Sequence, residues 1–123
     1  MPLFFCVTTH GELACLGESA DQTQAEARAG ALGIDLRFLL TQSVAVLLLR
    51  RLHLFGGLEP LPGLAWFTHF EWDGKLYLLE ELGSRDEAEA ILASCDDEPV
   101  ALLGPAEMQA WAATLEHGLR TAA

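Results

Sequence analysis

The chain has 123 residues, 51% of them apolar, which is the size of one domain with ample material for a core. Its 18 Asp and Glu against 7 Lys and Arg give a formal net charge of −11, with Lys75 the single lysine. Such a field repels phosphate backbones and anionic membranes, so nucleic-acid and membrane partners are excluded and a protein partner is expected. No basic leader or cleavage site follows Met1-Pro2, so a cytoplasmic location is expected, with Cys6, Cys15 and Cys95 present as thiols.

Residues 3–18 read as a β-hairpin turning at His10-Gly11. A two-residue loop there sets Cys6 opposite Cys15, with side chains about 5 Å apart, a candidate thiol pair. Two small core thiols are the simpler reading of that pair. Ser19 to Gln22 has capping-box spacing, and an alanine-rich surface helix follows to about Gly33.

The stretch Asp35 to Gly57 is the most apolar in the chain. Between Arg37 and Arg50 it carries no charge, yet it is shorter than the ~20 apolar residues of a membrane span. Asp35 as N-cap, Arg50, Arg51 and His53 near the far end, and Gly56-Gly57 as the stop predict a buried central helix. Val44 to Leu49 alternatively reads as a buried strand.

After the loop Leu58 to Gly63, residues 64–82 read as a second hairpin around Asp73-Gly74, the favoured dipeptide of a type I′ turn. That register places Trp66, Phe70, Trp72 and Tyr77 on one face, a candidate interaction surface, with Lys75 over Trp72. Ser84 to Glu87 is a capping box, and Ala88, Ile91, Leu92 and Cys95 follow at helical spacing. A short strand near 100–103 and an amphipathic helix from Pro105 to about Arg120 complete the chain. The expected fold is α+β in a single domain, 1–123: an antiparallel sheet from the two hairpins and the short strand, packed with the central and C-terminal helices. No internal repeat is evident.

Little chemistry is legible. His69 and Glu71 share a strand face, which allows an acid/base pair or two metal ligands but lacks a third ligand. They are the only catalytic candidates, and a solvated sheet face is the plainer reading. Asp96-Asp97-Glu98 lacks the spacing of a calcium loop. There is no P-loop, dinucleotide fingerprint or nucleophile elbow. No metal or cofactor is expected.

In size, acidity and mixed elements the chain resembles type III secretion chaperones and toxin-neutralising immunity proteins. Its hairpin–helix order is loosely similar to roadblock regulators of small GTPases. These resemblances imply a chaperone-, inhibitor- or adaptor-like protein without catalytic activity. The alternative is a small enzyme or ligand-binding domain using His69 and Glu71 beside the aromatic face. The surplus of apolar residues also predicts a homodimer.

Overall fold

The computed structural model describes residues 1–96 and 98–121. Each half of the chain opens with a hairpin whose turn is fixed by one glycine. In the first, β1 (Leu3–Thr8) meets β2 (Leu13–Glu18); in the second, β4 (Ala65–Phe70) meets β5 (Leu76–Leu82). The loops are longer than the two residues expected from His10-Gly11 and Asp73-Gly74. Thr8 N–H donates to Glu12 C=O and Gly11 N–H to Thr8 C=O; Glu71 to Lys75 and Gly74 to Glu71 repeat that pattern. Gly11 and Gly74 both hold φ at 80°, the left-handed residue that ends a three-residue loop.

That extra loop residue shifts the pairing near each turn. Phe5 faces Cys15 and Cys6 faces Ala14, so the expected Cys6–Cys15 pair does not form. In the second hairpin Phe70 faces Leu76 and His69 faces Tyr77, one step from the expected register. A bulge between Phe4 and Phe5, and between Phe67 and Thr68, restores the expected register further out.

The apolar stretch from Asp35 divides in two. Leu36–Thr41 is a strand, β3, antiparallel to β1, and Gln42–Gly56 is the helix α2. The one long helix expected over 35–57 is therefore corrected: its first third completes a sheet, and the strand reading fell on Val44 to Leu49, which is helical. Thr41 ends the strand and caps the helix, its side chain accepting from Val44 N–H. Asp35 caps nothing.

Helix α1 (Gln22–Ala31) is capped by Asp21 rather than Ser19, and α3 (Arg85–Ala93) by Ser84 as expected. In both boxes a side chain reaches back, Gln24 to Ala20 N–H and Glu87 to Gly83 N–H. Strand β6 (Ala101–Leu103) pairs with β4, and α4 (Pro105–Thr121) ends the chain.

The fold is α+β, and the hairpins do not merge. They form two three-stranded antiparallel sheets, ordered β2-β1-β3 and β5-β4-β6. One core joins the sheets through α2 and α4, with Phe5, Leu40, Leu48, Phe70, Trp111 and Leu115 at its centre. On the outer face of the first sheet, Phe4, Cys6 and Leu16 pack beneath Ala25 and Ala29 of α1.

The element order is ββαβα twice over. Three elements of the second half start 63 residues after their counterparts in the first: Leu13 and Leu76, Gln22 and Arg85, Gln42 and Pro105. Strand registers also coincide, since Cys6 faces Leu39 where His69 faces Leu102, and both bulges fall at the same step. The absence of a repeat read from the sequence is thus corrected. Few residues are shared, among them Gly11/Gly74, Leu13/Leu76, Ala25/Ala88, Leu40/Leu103 and Leu52/Leu115. They hold turn, core and helix-contact positions, and the surface has diverged around them.

Candidate functional site

His69 and Glu71 are brought together by the strand end at Phe70. His69 Nδ1 and a Glu71 carboxylate oxygen are hydrogen-bonded, and both side chains are largely covered. The His69 ring stacks on Tyr77 with centroids 5.7 Å apart. Among the described residues no third side chain hydrogen-bonds to the pair, and neither residue lines the cavities beside Trp66, at Arg37 and Arg85, or at Trp111. Among the described residues no cluster of three or more His, Cys, Asp or Glu is placed to hold a metal. Asp97 of the acidic run lies outside the described residues. Glu71 and the Tyr77 ring together fix the orientation of the His69 imidazole.

The thiols separate. Cys6 is fully buried, and its burial pushes the thiol above its ordinary range, the inert end of thiol chemistry. Cys15 on β2 and Cys95 just beyond α3 are exposed.

The expected aromatic surface also separates. Phe70 is completely buried, with Phe38 edge-on at 5.2 Å and Trp111 at 5.7 Å. Trp72 is 53% exposed but held on one side: its indole N–H donates to Glu98 C=O, and the cation over its ring is Arg37, at 5.2 Å, not Lys75. Tyr77 is 41% exposed, and its hydroxyl donates to Asp73 at 2.6 Å. That bond lowers the Asp73 carboxyl and raises the Tyr77 phenol, so it persists between their titrations and is lost in acid or strong base.

Trp66 is mostly covered and lines a cavity of about 550 Å³ with Leu52, Phe55, Pro105, Met108 and Ala112. Its indole N–H is buried and finds no acceptor among the described residues. A buried donor left unpaired is costly, and the Thr68 hydroxyl two residues on is buried without a partner among the described residues as well.

A further surface lies on α2. Leu47 and Leu54 are 57% and 59% exposed, one above the other, with exposed Arg50 and Arg51 between them. This stripe carries the one adjacent pair of cations in the chain. The helix is apolar on most sides in sequence, which signalled an uncovered face. Helical spacing alone groups Leu47 with Leu54; that this face is the uncovered one follows from the packing of the opposite face, Ala45, Leu48, Leu52 and Phe55, into the core.

Comparison with protein-family models, curated proteins and solved structures finds no match.

Proposed function

We propose that the protein is a small acidic, cytoplasmic protein-interaction domain without catalytic activity, docking through the solvent face of α2. The repeat supplies the supporting observation. Leu47, Arg50, Arg51 and Leu54 correspond to Ala110, Ala113, Thr114 and His117 of α4, at the same places in the same kind of helix. The helix surface is thus built with small or polar residues at these positions in one half. Two leucines and two arginines in the other serve something besides folding. The partner that fits is a protein segment presenting apolar side chains beside carboxylates, which the arginines pair with in a largely anionic setting.

The test exchanges one face for its equivalent. A chain carrying Leu47→Ala, Arg50→Ala, Arg51→Thr and Leu54→His is expected to keep its thermal midpoint within a few degrees, because surface changes cost about 0.5 kcal/mol or less each. Affinity capture from the source cells should return a protein with the natural chain and lose it with this variant. Equal capture by both would refute docking at α2, and light scattering shows whether the occupant is instead a second copy.

The apolar cavity beside Trp66 favours a second reading, binding of a small apolar molecule there. Decanoate titrated into the protein should move the Trp66 indole resonance, identified by its loss in Trp66→Phe. An unmoved resonance at millimolar decanoate removes this reading.

A further inference from the structure

We infer that the chain is a fused dimer: residues 1–57 and 64–120 are two copies of one ββαβα module, held together by an isologous interface and not by the loop between them. In a twofold pair a residue can meet its own copy only at the axis, and every other contact occurs twice. Both signatures are present. Arg37 donates to the Val100 carbonyl at 2.9 Å, and His53 bonds Glu116 at 2.5 Å; each partner stands 63 residues from the other, as its repeat equivalent. Off the axis the contacts are reciprocal. The Gly11 turn lies on α4, where Trp111 Nε1 donates to Gly11 C=O. The equivalent Gly74 turn lies on α2, where a side chain on Gly74 would meet Val44 Cγ1 at 3.3 Å. Each module thus rests its hairpin tip on the long helix of the other.

The copies are fitted to each other and not to themselves. A Cβ on Gly118 of α4 would lie 2.7 Å from the Phe5 ring, so the large residue is on the strand and the small one on the helix. By the same symmetry Thr68 is expected to oppose Phe55; both are buried, with the sizes reversed. Two copies of the first module would oppose Phe5 with Phe55. Two copies of the second would leave Thr68 over Gly118, and only the mixed pair fills both contacts.

The experiment transplants one contact onto the other in the full chain. Gly118→Phe alone is expected to lower the thermal midpoint by about 10 °C or more through overpacking, and Phe5→Thr alone by a similar amount through a cavity. The double variant reproduces the Thr68–Phe55 arrangement and should recover at least half of the combined loss. A double variant no better than the two losses added, or one that fails to fold, overturns the fitted pair. A protease site placed in the 58–63 loop tests the interface directly. After cleavage of the folded protein the two pieces should co-elute at the size of the intact chain. Pieces that separate or unfold on cleavage would overturn the fused dimer.

Discussion

Phe70→Ala is expected to cost about 3–5 kcal/mol, a large part of the roughly 5–15 kcal/mol that holds a domain of this kind together. Phe70 has no exposed surface and bridges both modules: it meets Phe38 of β3 edge-on and Trp111 of α4 from another side. Truncation removes both aromatic contacts and leaves a cavity at the centre of the shared core, where neither sheet can move in without breaking the other's register. Its backbone carbonyl accepts from Val100 N–H, so the strand is pinned and cannot slide to fill the void. Phe70→Leu, which keeps most of the volume, should cost less than half as much. Urea denaturation measures both; a loss below about 1 kcal/mol for Phe70→Ala would show the core to be far looser than this packing.

Arg37→Ala is expected to cost about 2–3 kcal/mol, an unusual loss for a partly exposed arginine. The guanidinium spans the module axis. Its Nε donates to Val100 C=O at 2.9 Å, its Nη2 to Pro99 C=O at 3.1 Å, and its Cζ lies 5.2 Å from the centroid of the Trp72 ring. Glu98 lies 3.6 Å away but is 85% exposed and contributes little. Truncation leaves two carbonyls at the interface without their donors and uncovers the indole. Lysine cannot restore the fork geometry that serves two adjacent carbonyls and a ring together, so Arg37→Lys should retain well under half of the lost stability. Chemical denaturation of both variants checks this, and an Arg37→Lys protein as stable as the natural one would contradict the assignment.

Much of the fold was legible because local chemistry declares it. The X-Gly turns, the Ser84 box and Pro105 at a helix start each follow from one physical requirement. Register was not, because His10-Gly11 and Asp73-Gly74 suit a two-residue type I′ loop as well as a three-residue loop ending in left-handed glycine. One residue of difference turns Cys6 away from Cys15. The apolar stretch misled for a related reason. Leu36 to Thr41 is covered as a sheet strand and Gln42 to Gly56 as a helix, so hydrophobicity runs on across the boundary. The structure changes at Thr41-Gln42-Ser43, the polar residues in the middle of the apolar run.

The repeat was hidden because it survives in register and packing and in few identities. The repeat also bears on the candidate site. His69 and Glu71 could be paired from strand geometry alone, and they do pair. The stripe on α2 gains meaning only beside Ala110, Ala113, Thr114 and His117, and that comparison requires knowing that α2 and α4 are equivalent.

Docking at α2 is tested most directly by a photo-crosslinking amino acid placed, in the full chain and in the source cells, at Leu54 or at its equivalent His117. Both positions are exposed on equivalent helices of one molecule, so each controls for the other. A crosslinked protein partner is predicted from position 54 and none from position 117. Crosslinking from 117 alone, or from neither, would contradict it.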